Sequence, residues 1–163
     1  MAISRDSYLQ LGRSLAGAVS VVAAMERGTD AVVGLTVSSF VSLSLDPPLV
    51  MFAIQHDANS YPAIVASKCF GVSVLNTTQS EIARRFAVKG SDKAADTVIG
   101  MGVELPVPLV EGSLAHVECA TSQIIVGGDH AIVVGRVEAI RVHHGEPLVY
   151  YGRAFGSFTP FGV

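Results

Sequence analysis

Cysteine is scarce in this chain. Cys69 and Cys119 stand 50 positions apart in apolar surroundings, with no CxxC motif and no histidines at zinc spacing. They predict buried free thiols and exclude a disulfide framework or a cysteine metal centre. Charge is scarce as well, at 15% of 163 residues against about 25% in an ordinary soluble domain. The net charge of −3 is spread without a basic run longer than Arg84-Arg85, which argues against nucleic acid as a partner. No stretch reaches the roughly 18 uncharged apolar residues of a membrane span, and the opening MAISRDSY lacks the basic and apolar regions of a secretion signal. The expectation is a cytoplasmic protein without a membrane partner, in which the sequon Asn76-Thr77-Thr78 carries no weight. Also missing are GxxxxGK[ST] and GxGxxG, so any nucleotide must be held by another device.

What is present is apolar. Half of the residues are hydrophobic, and with so little charge much of the surface must be apolar or covered. That predicts a homo-oligomer, most simply a two-fold homodimer. Length, together with the lack of a linker or repeat, predicts one domain over residues 1–163.

Tyr8, Leu11 and Leu15 at helical spacing, with Ser4 as N-cap, predict an amphipathic helix ended by Gly17. AVSVVAAM and AVVGLTV then read as a hairpin around ERGTD, and LVMFAI after Pro47-Pro48 as a buried strand. Asn59, Ser60 and Pro62 mark the start of a short helix, with Ser60 as its cap. CFGVSVL reads as a strand, TQSEIARRFA as a helix and VKGSDKAAD as a polar loop. Three β-rich runs follow, LAHVECATSQIIV, HAIVVGRVEAIRV and PLVYYGRAFGSF, joined by GGD and HHGE. Short connections and the lack of βαβα alternation predict a mainly β fold with short helices, a small closed or split antiparallel barrel.

Two stretches carry candidate chemistry. In GLTVSSFVSLSLDPPLV, Thr36, Ser38 and Ser39 end a strand, where main-chain amides and hydroxyls are free of a neighbour and suit a flat heterocycle. In QHDANSYP, hydroxyls meet helix amides that suit an anion. Spacing alone also fits a solvated turn and an ordinary capped helix. His116, His143 and His144 lack a third ligand at metal spacing, so no metal is expected. Alternation sends Glu118 and Glu138 to a solvated or interface face, without acid-base roles.

The succession LAGAVSVVAA, GLTVSSFVSLSLDPPLVMFAI, NSYPAIVASKCFGVSVLN, EIARRFA, GDHAIVVGRVEAI and LVYYGRAFGSF resembles the flavin reductase-like family with the FMN-binding split barrel. That family includes the small reductase components of two-component flavin monooxygenases. The resemblance covers nearly the whole chain and implies a homodimer of split barrels with flavin near the subunit interface. It implies that Thr36, Val37, Ser38 and Ser39 line the isoalloxazine, and that Ala53, Ile54 and Gln55 pass beside the ring and ribityl chain. Asn59 and Ser60 would hold the phosphate, with Arg85 and Phe86 on the other side of that chain and Lys89 as a loose cation. Gly127 to His130 matches the stretch against the nicotinamide, with His130 as the catalytic contact beside Gly128 and Asp129. Arg153 in YYGR would be a second contact, or else pair with Glu138 or Glu146.

The implied function is an NAD(P)H-dependent flavin reductase that moves hydride from NADH to FMN or FAD and hands reduced flavin to a separate oxygenase. NADPH is disfavoured by the lack of an Arg or Lys cluster near His130. The alternatives are a flavoprotein with tightly bound flavin, acting as electron carrier or on another small substrate, and a structural barrel with an empty groove.

Overall fold

The computed structural model describes residues 3–161. Its strands and helices follow one another as α1 (Arg5–Ser14), β1 (Gly17–Ala18), β2 (Ser20–Met25), β3 (Val32–Val37), β4 (Val41–Ser44), β5 (Leu49–Gln55), α2 (Tyr61–Ser67), β6 (Cys69–Val74), a 3-10 turn (Thr77–Gln79), α3 (Ser80–Ala87), β7 (Ile99–Met101), β8 (Pro108–Val110), β9 (Ala115–Gly127), β10 (His130–Val142), β11 (Leu148–Tyr151) and β12 (Ala154–Ser157). Among the described residues, no helix is long and apolar enough to cross a membrane.

Seven strands form one antiparallel sheet in the order β3-β2-β6-β9-β10-β5-β4. β3 and β4 are consecutive in the chain yet occupy opposite edges. Only Ser38, Ser39 and Phe40 join them, and such a linker reaches at most about 14 Å. The sheet must therefore curl until its edges nearly meet, which makes the predicted antiparallel barrel and leaves it split between β3 and β5. A three-stranded sheet, β1-β11-β12, and the β7-β8 hairpin complete the fold.

The barrel interior is filled by Val22, Phe52, Ile54, Phe70, Val72, Ala131 and Val133 among others, with Phe52 and Phe70 edge to face at 5.2 Å. β2 is buried on both faces, as its unbroken apolar run requires. Val22 and Ala24 point into the barrel, whereas Val21 and Ala23 join Leu75, Ala83, Phe86 and Val110 beneath α3.

Several local expectations differ from what forms. β4 lies inside the stretch read as a loop before Pro47-Pro48, and β7 and β8 were not expected. The helix expected to start at Thr78, Gln79 or Ser80 does start at Ser80, and a 3-10 turn over Thr77–Gln79 leads into it. Asn76 caps that segment by accepting from the Thr78 amide at 2.9 Å, and Gln79 reaches back to the Asn76 amide at 3.1 Å. Ser60 precedes α2 but makes no side-chain cap bond, because its backbone is already helical. Glu118 is not on a solvated face. It is 1% exposed and accepts from the amides of Val103, Glu104 and Leu105, each at 2.8 Å. Ser4 does cap α1, accepting from the Ser7 amide at 3.1 Å.

Candidate active site in the split of the barrel

The split exposes main chain from both sides. β3 is an edge strand, so every second residue turns its N–H and C=O away from β2. β5 pairs with β4 only as far as Met51↔Val41, which leaves Phe52–Gln55 without a strand on that side. A cavity of about 440 Å³ opens between these two unpaired edges, within the size range of small-molecule sites. β3 supplies Thr36 and Val37 to its wall, the linker supplies Ser39, and β5 supplies Ala53, Ile54 and Gln55.

The hydroxyls expected to meet a ligand are already engaged. Thr36 Oγ1 donates to the Ala83 carbonyl on α3 at 2.7 Å, and Ser39 Oγ accepts from the Ala53 amide at 3.0 Å. They fix the two edges, while the free donors and acceptors are main-chain groups. Ser38 does not line the cavity; it packs against Gly17, where a Cβ would come within 2.8 Å of the Ser38 carbonyl oxygen.

One end of the cavity is walled by Ala58, Asn59 and Ser60, and the α3 side by Phe86, Val88, Lys89 and Lys93. Phe86 is buried, and it fits against β3 because residue 34 is glycine: a Cβ there would sit 2.9 Å from the Phe86 ring. The Lys93 ammonium donates to the carbonyls of Arg85, Phe86 and Val88 at the end of α3, the favourable place for a cation. Arg85 is not a lining residue. Its guanidinium turns outward to the Ala95 carbonyl, to Thr97 Oγ1 at 2.8 Å and to the Asp96 carboxylate at 3.5 Å, so it fixes the 95–97 loop.

His130 reaches the cavity from the first position of β10, directly opposite Gln55. Gly128 and Asp129 form the two-residue β9–β10 turn, with Gly128 at φ 70°, and do not line the cavity. Asp129 Oδ1 holds His130 Nδ1 at 2.7 Å; that hydrogen bond and the imidazole's charge keep the Asp129 carboxyl below its ordinary value. Arg153 lies elsewhere. With Gly152 it makes the two-residue β11–β12 turn, both at positive φ, and Glu138 pairs with Arg136 instead.

Cys119 is fully buried, and burial, followed by the charges of Glu138 and Glu118, pushes its thiol up to about 12. Cys69 is raised by burial too. Both are free, as expected, but only Cys119 is buried as well; Cys69 is half-buried.

Fold and cleft together define a split-barrel protein built around a largely uncharged groove between two strand edges. The chain belongs to the flavin reductase-like domain family, whose model matches residues 11–159. It is 35% identical to the NADH-dependent FMN reductase of Agrobacterium fabrum over 96% of this chain and 87% of that one. It is 34% identical to the reductase component of 4-hydroxyphenylacetate 3-monooxygenase from Thermus thermophilus, over 93% and 95%. The solved structure of the Streptomyces globisporus NADH:FAD oxidoreductase, in complex with NAD and FAD fragments, superposes with a TM-score of 0.88 at 32% identity, covering 98% of both chains.

Proposed function

We propose that the chain is an NADH-dependent flavin reductase that takes FMN or FAD as an exchangeable substrate in the split and delivers reduced flavin to a separate oxygenase. The observation that carries this is the pair of unpaired strand edges facing each other across a largely uncharged groove that His130 also lines. A planar heterocycle with donors and acceptors along one edge pairs with such main-chain groups as a further strand would.

The donor set fits the group. Outward-facing main-chain groups of the Thr36–Ser39 stretch and of Gln55 meet the ring, Ala53 and Ile54 pass beside it with their amides turned to Ser39 Oγ and to β10, and Asn59, Ser60 and Lys89 meet the phosphorylated end of the ribityl chain. Phe86 closes the α3 side and excludes water there. When bound, the flavin supplies the hydride acceptor and NADH the donor. Amides fixed before the reaction stabilise the negative charge that develops without reorganising. His130, steadied by Asp129, positions the nicotinamide, and positioning alone is worth roughly 7–11 kcal/mol in well-oriented reactions. The Asp129 carboxylate also disfavours a 2′-phosphate, which supports NADH over NADPH. Ser38, Arg85 and Gly128 support the site from outside the cavity, whereas Arg153 has no part in it. The relatives' names as NADH-dependent reductases and monooxygenase components support the same reading. The working form is a cytoplasmic homodimer of single-domain chains.

The test is anaerobic NADH oxidation followed at 340 nm, with and without added FMN or FAD. A rate that requires added flavin and saturates with it is expected. A bound flavin that NADH does not reduce would overturn the assignment.

A further inference from the structure

Two loops wall the cavity mouth, one of residues 56–60 between β5 and α2 and one of residues 88–91 after α3. Among the described residues, one side chain makes the hydrogen bonds that join them. Lys89 Nζ donates to the Asp57 carboxylate at 2.9 Å and to the Asp57 carbonyl at 3.2 Å. Lys89 lines the cavity and Asp57 does not, so the ammonium at the mouth is held by an anion lying just outside it. The Lys89 hydrogen bond and charge keep the Asp57 carboxyl below its ordinary value, so it is a carboxylate at neutral pH.

The rest of the mouth offers an anion little help. Arg85 is turned outward, and the Lys93 ammonium already faces three carbonyls and the Ser91 hydroxyl. A second carboxylate, Asp129, is close enough to Asp57 for the two to repel. A phosphate arriving at Asn59 and Ser60 therefore finds one cation within reach, and that cation has an internal partner.

Resting on the reading of the cavity as a flavin site, we infer that Asp57 is a specificity-determining residue: it competes with the flavin phosphate for Lys89 and levels the affinities for phosphorylated and unphosphorylated flavins. The ring and ribityl contacts then carry nearly all the affinity, which keeps the flavin exchangeable. The ion pair is exposed, and such pairs change equilibria by roughly two- to five-fold, so its removal is expected to act on that scale.

Riboflavin and FMN differ only in the phosphate, and their Kd values follow from the change in flavin fluorescence on titration with protein. Asp57→Asn is expected to lower the FMN Kd about three-fold and to leave the riboflavin Kd nearly unchanged. In a Lys89→Met background the same substitution is expected to gain nothing. An unchanged ratio of the two Kd values, or equal tightening of both flavins, would overturn the inference and reduce the pair to a tie between loops. An equal gain in the Lys89→Met background would also overturn it, since Asp57 would then act by direct repulsion. Failure of the unaltered protein to bind either flavin would instead remove the flavin site itself.

Discussion

Glu118 is a buried carboxylate whose hydrogen-bond partners are main-chain amides. Burial is the largest influence on it and raises its pKa, but the amides of Leu105, Val103 and Glu104, helped by the charge of Arg141, outweigh burial and lower it overall. The three amides belong to the connection between β7 and β8, which folds over the carboxylate so closely that a Cβ on Gly102 would lie 2.5 Å from Glu118 Oε2. Glu118→Gln keeps the volume but sets an NH2 group against those amides, and should cost about 2 kcal/mol. A pKa lowered on folding contributes stability that is present above the unfolded value, near 4.5, and lost as pH falls through the folded one. The difference in melting temperature between wild type and Glu118→Gln should therefore be largest at neutral pH and shrink below pH 4. A constant difference across that range would show that packing, not charge, is at stake.

At the scale of elements, β3 decides the site. Its inner neighbour β2 is paired along its whole length, its outer edge is free, and α3 rests on it through Phe86. Gly34 is the position that permits this, since a Cβ there would meet the Val22 carbonyl at 2.7 Å as well as the Phe86 ring. Gly34→Ala forces strand and helix apart at a cost of about 1–3 kcal/mol. It should lower the melting temperature and weaken riboflavin and FMN binding alike, because the displaced ring narrows the groove. Unchanged titrations would mean that Phe86 is not part of the binding wall. Most of this level was legible in the sequence. β2, β3, β5, β6, β9 and β10 coincide with apolar runs whose length and turns specify strands. β4 was not, because Val41–Ser44 is short and takes its identity from pairing with β5. The β7–β8 connection is tied to Glu118, a contact across more than a dozen residues that alternation along one strand cannot reveal. The site segments were legible as segments but not atom by atom. The Thr36 and Ser39 hydroxyls read as ligand donors, yet the nearest partners for them are the chain's own carbonyl and amide. Arg85 and Arg153 read as cation contacts, yet a loop and a tight turn claim them.

At the scale of the molecule, the exposed surface is larger than a compact chain of this mass is expected to show. A compact chain of 17.0 kDa exposes about 7,700 Å², whereas this one exposes 9683 Å². Large apolar side chains are exposed in a few places. α1 buries no residue against its own chain, and its Tyr8 and Leu11, with the C-cap Leu15, are more than half exposed. A ten-residue helix in that condition is marginal in water. The far half of the β9–β10 hairpin carries Ile124, Ile125 and Val126 into solvent, and Leu45 beside the split is 92% exposed. A second copy covering these faces would account for both the low charge of the sequence and the survival of α1. Sedimentation at micromolar concentration should accordingly give twice the chain mass. Leu11→Glu leaves every intrachain contact of the barrel intact, so its effect isolates the association: the expected result is a shift toward monomer together with proteolytic cleavage in α1. A monomer whose α1 resists proteolysis would mean that the helix is held by its own chain, and the excess surface would then need another partner.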